Sequence, residues 1–291
     1  MFGGFDLLMV ETDDAVVRLR IGGSGPPVLL LHGHPQTHVM WHLVAPLLAE
    51  TFTVVAADLP GYGESSKPVS APDHEPMSKR ALSRVMLSVM ESVGFDRFSV
   101  AGHDRGGYCA YRLALDHPQR IERLAVLDIV PASEAWARAD GRFMLRWWHW
   151  AFLAQPAPLA ERWLGRDPEW FLLRDPKRAA LWDPEALEDY LRCYRNPETI
   201  RCVCEDYRAN ATIDVEHERA DRAAGRRITC PVLALWGRDD DMELLYGEPL
   251  EVWRVWADDV RGHGIDCGHY LAEEAPEETA GELVRFFSGK S

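Results

Sequence analysis

The chain has 291 residues, of which 46 are acidic and 32 are basic, giving a formal net charge of -14. This length is enough for one large α/β core with an inserted region, and the negative charge argues against nucleic acid or an anionic membrane surface as a partner. The sequence contains neither a signal-peptide pattern nor a run approaching the roughly 18 apolar residues of a membrane span, so we expect a cytoplasmic protein.

Short apolar strands alternate with amphipathic helices through the first part of the chain. The alternation predicts a mostly parallel sheet covered by helices on both faces. Apolar and basic residues alternate over residues 17–21, which predicts an antiparallel strand leading this sheet. The further predicted strands cover residues 28–31, 53–57, 98–101 and 124–127, and the predicted helices cover residues 36–50, 79–93 and 107–116.

The alternation stops after Asp128, and no strand is predicted from residue 130 to residue 226. Prolines interrupt amphipathic segments throughout this region, which holds seven of the eleven tryptophans. We therefore predict a helical cap at residues 130–226, inserted into a core made of residues 1–129 and 227–291. Strands return at residues 231–236 and 260–265, before a helix at 276–287.

The pentapeptide Gly102-His103-Asp104-Arg105-Gly106 lies between a predicted buried strand and a predicted helix. This arrangement is typical of a nucleophile elbow, in which glycines let the chain reverse so sharply that the central side chain is strained and exposed. The central residue is Asp104, where such elbows usually carry serine. A carboxylate is well suited to displacing a leaving group from a saturated carbon, which leaves an alkyl ester that water can cleave. We predict that Asp104 is the nucleophile.

Cleavage of such an ester requires a general base, and histidine is the side chain poised for this near neutral pH. His269 follows the last predicted strand, so it would reach back over the elbow. Two strand-end carboxylates, Asp128 and Asp240, are candidates to orient its ring. We favour Asp128, because apolar residues surround it and an unpaired charge there would be costly.

The loop at residues 32–36 follows the first core strand. The backbone N–H of His34, together with that of Arg105, is predicted to polarise the ester carbonyl during hydrolysis. The side chain of His34 is expected to be a bystander. The six cysteines fit no common zinc framework, and we predict neither a metal nor a cofactor.

Several segments together resemble the fluoroacetate dehalogenase branch of the α/β-hydrolase fold, and the resemblance spans nearly the whole chain. The most selective features are an arginine directly after the nucleophile and the pair His149-Trp150 in the insert. The other matching segments are HGHPQ at 32–36, DLPGYG at 58–63, RLALD at 112–116, FLAQPAP at 152–158 and CEDYR at 204–208.

The resemblance implies a hydrolytic dehalogenase that acts on a small halogenated carboxylic acid such as fluoroacetate or chloroacetate, and by analogy a possible homodimer. Asp104 would displace halide from the carbon next to the carboxylate, and His269 with Asp128 would then activate water. In that family a histidine, a tryptophan and a tyrosine of the cap hold the departing halide, and the matching positions are His149, Trp150 and Tyr207.

One departure from the family pattern concerns the substrate carboxylate. The family grips it with two arginines three residues apart, whereas this chain has Arg105 at the first position and Tyr108 at the second. A tyrosine donates one hydrogen bond but carries no charge, so the change would cost about 1.5–3 kcal/mol of carboxylate binding. Either another cation from the cap substitutes, or the site takes a larger or less anionic substrate.

Three other functions remain as alternatives. An epoxide hydrolase shares the aspartate nucleophile and histidine base, and protonates the epoxide oxygen with two cap tyrosines. A haloalkane dehalogenase would act on a less anionic substrate, and a non-catalytic protein would only bind a small acid. The tyrosines available for the epoxide reaction are Tyr190, Tyr194 and Tyr207.

Overall fold

The computed structural model describes residues 1–289. Its eight strands form one sheet in the spatial order β1-β2-β4-β3-β5-β6-β7-β8, in which β2 runs antiparallel to both of its neighbours, β1 and β4, and all other neighbouring pairs are parallel. The strands are β1 (Asp6–Glu11), β2 (Val16–Gly23), β3 (Pro27–Leu31), β4 (Thr53–Ala57), β5 (Phe98–His103), β6 (Ile121–Leu127), β7 (Val232–Gly237) and β8 (Val260–Ile265).

Helices flank this sheet and fill the connection between β6 and β7. The core helices before that connection are α1 (Ala45–Leu48), α2 (Lys79–Ser92) and α3 (Arg105–Asp116). The connection holds α4 (Ala132–Ala137), α5 (Gly141–Arg146), α6 (Trp148–Leu153), α7 (Leu159–Leu164), α8 (Pro168–Leu173), α9 (Pro176–Leu181), α10 (Pro184–Tyr194), α11 (Pro197–Ala211) and α12 (Ile213–Ala223). The last helices are α13 (Met242–Tyr246), α14 (Pro249–Arg254), α15 (Leu271–Glu274) and α16 (Pro276–Phe287), and 3₁₀ turns cover His38–Trp41 and Glu75–Met77.

The predicted α/β class is confirmed, including the helical insertion that follows the strand ending near Asp128. The helix predicted over residues 36–50 is wrong, because that segment forms a 3₁₀ turn and the separate short helix α1. Pro46 explains the break, since proline has no backbone N–H and is tolerated only in the first turn of a helix. Strand β1 was not predicted, because its side chains are mostly exposed and show no alternation.

Both faces of the parallel strands are buried, which is why the sequences of these strands are continuous apolar runs. In β4, β5 and β7 nearly every residue is buried. The carboxyl ends of parallel strands meet at one edge of the sheet, so the loops after β3, β5, β6, β7 and β8 converge there. Within residues 1–289, no helix combines the length and hydropathy needed to cross a bilayer.

Candidate active site

Asp104 lies in the turn that joins β5 to α3, with a backbone φ of 46°. This is a strained conformation for a residue with a side chain, and it persists because the flanking glycines allow very close packing. A Cβ on Gly102 would lie 2.3 Å from the carbonyl oxygen of Gly106, and one on Gly106 would lie 2.4 Å from that of Leu31. The sharp strand-to-helix turn predicted from the sequence is therefore present.

The loop after β3 approaches the side chain of Asp104 directly. The backbone N–H of His34 donates a hydrogen bond of 2.7 Å to Asp104 Oδ1. Gly33 makes this approach possible, because a Cβ at that position would lie 2.6 Å from the same oxygen. One carboxylate oxygen of Asp104 is thus held by the backbone donor that the sequence singled out.

His269 lies in the loop after β8 and contacts both candidate acids. Its Nδ1 lies 2.5 Å from Asp128 Oδ2 and 3.6 Å from Asp240 Oδ2. The backbone N–H of Gly237 donates to the other oxygen of Asp128 over 2.9 Å, which fixes that carboxylate. Asp128 makes the shorter contact, and Asp240 adds a second negative charge beside the same ring nitrogen.

These two carboxylates set the charge of the histidine. Burial alone would lower the pKa of His269, but the hydrogen bonds and charges of Asp128 and Asp240 outweigh it and raise this pKa well above the usual value. Burial would likewise raise the pKa of Asp240, yet the contact with His269 lowers it. Asp128, Asp240 and His269 are also the kinds of residue that bind metal ions, and their possible ligand atoms lie within 4.8 Å of one another. Nδ1 of His269 is, however, already hydrogen-bonded to Asp128.

His103, within the elbow itself, supports the histidine loop. Its Nε2 donates to the backbone carbonyl of His269 over 2.7 Å, and the two rings lie 4.6 Å apart. Burial and the neighbouring His269 lower the pKa of His103 well below its usual value, so the ring is neutral. The sequence placed His103 in the motif but gave it no role.

A cavity of about 130 Å³ adjoins Asp104. It brings together all the predicted site side chains except that of Arg105, and adds two arginines of the insert, Arg146 and Arg174. No sequence signal distinguished these two from the other arginines of the insert. The predicted residues on its wall are His34, Asp104, Tyr108, Asp128, His149, Trp150, Tyr207 and His269, with Asp240 beside them.

The three predicted halide-binding residues lie on two helices of the insert. His149 and Trp150 belong to α6, and Tyr207 belongs to α11. The ring of Tyr207 lies 5.9 Å from that of His149 and 6.2 Å from that of Trp150. Residues almost 60 positions apart in sequence therefore form one aromatic, hydrogen-bonding wall of the cavity.

Arg105 is completely buried and already holds a carboxylate. Its Nε and Nη2 donate to the side chain of Asp206, over 3.1 Å and 2.7 Å, and Lys79 and Tyr62 donate to the same side chain. Burial would raise the pKa of Asp206, but the charges of Arg105 and Lys79 lower it, so Asp206 is ionised. Of the three nitrogens of the Arg105 guanidinium, Nη1 is the one that has no hydrogen-bond partner among the described residues.

The second predicted carboxylate position, Tyr108, is buried and lines the cavity. The guanidinium of Arg105 lies 5.2 Å from the centre of the Tyr108 ring and 4.3 Å from that of Tyr207. Stacking of this kind restrains a cation without using its N–H groups. Arg105 is therefore held between two aromatic rings and an acid, with one nitrogen left for a further acceptor.

Comparison with known proteins accounts for this arrangement. A profile described as the alpha/beta hydrolase fold matches residues 26–247. The chain belongs to the α/β-hydrolase family. Within this family it is 44% identical to a fluoroacetate dehalogenase of Burkholderia sp, over 99% of this chain and 95% of that protein. The resemblance predicted from the motifs is thereby confirmed.

Two further members of the α/β-hydrolase family show how widely the fold is used. A solved structure from Nostoc sp PCC 7120, assigned to the α/β hydrolases, superposes with a TM-score of 0.95 at 46% identity, covering 98% of this chain and 99% of that one. A soluble epoxide hydrolase of Corynebacterium sp. is 31% identical over 91% of each chain. The family alone therefore leaves the leaving group undecided, and the site residues must discriminate.

Proposed function

We propose that this α/β hydrolase removes halide from small haloacids of the haloacetate type by hydrolysis. The observation that carries the proposal is the shared cavity, whose wall holds a carboxylate in a strained turn, a histidine paired with acids, and a cluster of ring N–H and O–H groups. Its volume of about 130 Å³ suits a substrate of very few heavy atoms. Residues 130–226 act as a cap over the core formed by residues 1–129 and 227–291.

In the first step, Asp104 attacks the carbon that carries the halogen. The backbone N–H of His34 holds Oδ1, so the other carboxylate oxygen forms the new C–O bond. The carbon–halogen bond breaks and the halogen leaves with the bonding electron pair. His149, Trp150 and Tyr207 stabilise the developing halide charge, an interaction that is strongest in the transition state and therefore accelerates the reaction.

In the second step, His269 takes a proton from water as the water oxygen attacks the carboxyl carbon of the Asp104 ester. The backbone N–H groups of His34 and Arg105 stabilise the resulting oxyanion. The bond from that carbon to the substrate oxygen then breaks, and the departing alkoxide receives the proton back from His269. Asp104 is left as the carboxylic acid and loses its proton to solvent, which restores the carboxylate. Asp128 keeps the ring oriented throughout, because it accepts from Nδ1.

The substrate carboxylate is held by the hydroxyl of Tyr108 on the cavity wall and by Nη1 of Arg105, whose side chain does not line the cavity and packs behind the rings of Tyr108 and Tyr207. The buried, otherwise unpartnered Nη1 supports this assignment, since an anion would satisfy it. Arg174 lines the same cavity, with its guanidinium 4.1 Å from the centre of the Phe171 ring. This cation of the insert supplies part of the positive charge that the missing second arginine of helix α3 would have given.

The pH dependence follows from the acids beside His269. The ring can accept a proton from water only when neutral, and its pKa is raised above the usual value, so the protonated form persists above pH ~6.5. We expect ester hydrolysis to accelerate with rising pH, with a midpoint above that of an ordinary histidine. Rapid-quench measurement of ester breakdown as a function of pH reports the second step alone and tests this expectation.

Asp240→Asn tests the cause of that shift. Removing one of the two negative charges should move the midpoint of ester hydrolysis to lower pH, by about one unit for a contact of this kind. Asp239→Asn, which changes the exposed neighbour in the same turn, is the control and should leave the midpoint unchanged. An unchanged midpoint in Asp240→Asn would show that Asp128 alone sets the charge of His269.

Epoxide opening is the competing activity, and the insert tyrosines argue against it. The hydroxyl of Tyr190 donates to Glu273 over 2.8 Å, and that of Tyr194 lies 3.2 Å from the ring of His34. Of the three insert tyrosines considered, only Tyr207 is part of the cavity wall. A pair of tyrosine hydroxyls aimed at one epoxide oxygen would require a different arrangement.

The experiment that tests the proposed function compares fluoroacetate, chloroacetate and styrene oxide with the same enzyme. We expect halide and glycolate from the haloacetates and no diol from the epoxide. Chloroacetamide, which has nearly the same shape without the charge, should be turned over with kcat/KM at least about tenfold lower than chloroacetate. Chloride without fluoride would limit the reaction to better leaving groups, and diol formation alone would overturn the proposal.

A further inference from the structure

The imidazole of His34 connects the cavity to a tyrosine behind it. Its Nδ1 lies 3.3 Å from the hydroxyl of Tyr207, and its Nε2 lies 3.2 Å from the hydroxyl of Tyr194. All three side chains are buried. Tyr207 lines the cavity and Tyr194 does not, so the ring joins a hydroxyl in the site to one outside it. The bystander role expected for this side chain does not describe that position.

The charge of His34 decides what it can do between these hydroxyls. Burial lowers its pKa well below the usual value, and the neighbouring His149 and Arg105 lower it further, so the ring is neutral. A neutral imidazole has one N–H donor and one acceptor nitrogen. The two hydrogen bonds of His34 therefore run in the same direction along the chain Tyr194, His34, Tyr207, whichever nitrogen carries the proton.

The two directions have different consequences for the cavity. If Nδ1 carries the proton, it donates to the oxygen of Tyr207, and Nε2 accepts the proton of Tyr194. The proton of Tyr207 is then left for a group in the cavity. If Nε2 carries the proton, Tyr207 must donate to Nδ1 and has nothing left to give, while the proton of Tyr194 loses its acceptor.

The second direction is the costly one. Among the described residues, His34 is the hydrogen-bond partner of the Tyr194 hydroxyl, and this hydroxyl lies outside the cavity. An unsatisfied donor in the protein interior is expensive, whereas the Tyr207 hydroxyl can meet solvent or a ligand in the cavity. Hydrogen bonding therefore favours the direction in which Tyr194 donates.

We propose that Tyr194 is a positioning residue for halide release. Its hydroxyl holds His34 in the Nδ1–H tautomer, and this tautomer directs the proton of Tyr207 towards the departing halide. The inference rests on the proposed dehalogenation, in which Tyr207 donates to the halide. It makes halide release depend on a residue outside the cavity, because Tyr194 does not line it.

The kinetic test uses Tyr194→Phe, with Tyr190→Phe as the matched control. Both residues lie on α10 one turn apart, but the hydroxyl of Tyr190 donates to Glu273 instead of His34. Fluoride is the poorest leaving group and the strongest hydrogen-bond acceptor among the halides, so it depends most on the Tyr207 proton. We expect Tyr194→Phe to lower the ratio of kcat for fluoroacetate to kcat for chloroacetate by about tenfold.

The outcomes separate the two proposals. If the wild-type enzyme releases no halide from any haloacetate, the proposed function fails before the variant is considered. If the wild type is active and Tyr194→Phe leaves the ratio unchanged, or lowers both rates equally, the positioning role is overturned. Tyr190→Phe should keep the wild-type ratio. Where fluoroacetate is not turned over, chloroacetate and bromoacetate give the same comparison.

A second measurement tests the tautomer of His34 directly in the wild-type enzyme. Nitrogen-15 chemical shifts of the wild-type histidine rings distinguish Nδ1–H from Nε2–H, and the spectrum of His34→Gln assigns the signals of His34. We expect the Nδ1–H tautomer in the wild type, and loss of that preference in Tyr194→Phe. The Nε2–H tautomer in the wild type would overturn the proposal.

Discussion

Replacing Asp104 by asparagine should abolish halide release from haloacetates while leaving a folded protein. An amide has almost no nucleophilicity towards a saturated carbon, and the neighbouring acids Asp128 and Asp240 are engaged with His269. The loss should be at least about 10³-fold in kcat, because the covalent route disappears entirely. Initial rates of fluoride and chloride release, measured over hours to detect slow residual turnover, provide the test.

The control for this variant is Asp239→Asn, which makes the same chemical change at an exposed carboxylate. It should keep full activity. Thermal unfolding should show that Asp104→Asn is folded, since the backbone N–H of His34 can still donate to an amide oxygen at that position. Substantial halide release by folded Asp104→Asn would remove the covalent mechanism.

Replacing His269 by alanine should separate the two chemical steps. Displacement of halide needs only the carboxylate of Asp104 and the halide-binding residues, so the first step should still occur. Hydrolysis of the ester should slow by about 10²–10⁴-fold, the usual contribution of a general base. The variant should release close to one equivalent of halide per site and then stop, with a carboxymethyl group on Asp104.

Mass spectrometry of the intact variant after incubation with chloroacetate would detect this adduct, and peptide mapping would locate it. His263→Ala, at a more exposed histidine on β8, is the control and should turn over without accumulating the ester. An unmodified mass in a His269→Ala variant that still consumes substrate would assign the base to another group. Asp128→Asn should accumulate the same adduct to a smaller extent, because His269 is still present but has lost its nearest partner.

The contact between Arg105 and Asp206 limits how Arg105 can bind the substrate carboxylate. Two of the three guanidinium nitrogens are committed to a buried carboxylate, so this arginine offers the substrate one nitrogen. A bidentate grip on the substrate carboxylate by Arg105 alone would require the ion pair with Asp206 to break. Comparison of chloroacetate with chloroacetamide therefore measures how much the remaining donors contribute.

Much of this site could be predicted from the sequence because its signals are local. The elbow depends on glycines adjacent to Asp104 and on the strand and helix that flank it, and all of these lie within about 20 residues. The position of His269 follows from chain order, since the loops after parallel strands converge at one edge of the sheet. The helix predicted over residues 36–50 was wrong because Pro46 lies in the first turn of the short helix α1 and not in the interior of a longer helix.

The sequence by itself determined the fold class, the elbow and the types of residue available for chemistry. Only the tertiary structure decided which atoms meet. It brought Asp128 and Asp240 to one ring nitrogen, joined Arg105 to an acid 101 residues away, and placed His34 between two tyrosines of different helices. Such contacts depend on how whole elements pack, and a one-dimensional pattern of apolar residues does not encode the direction of a single hydrogen bond.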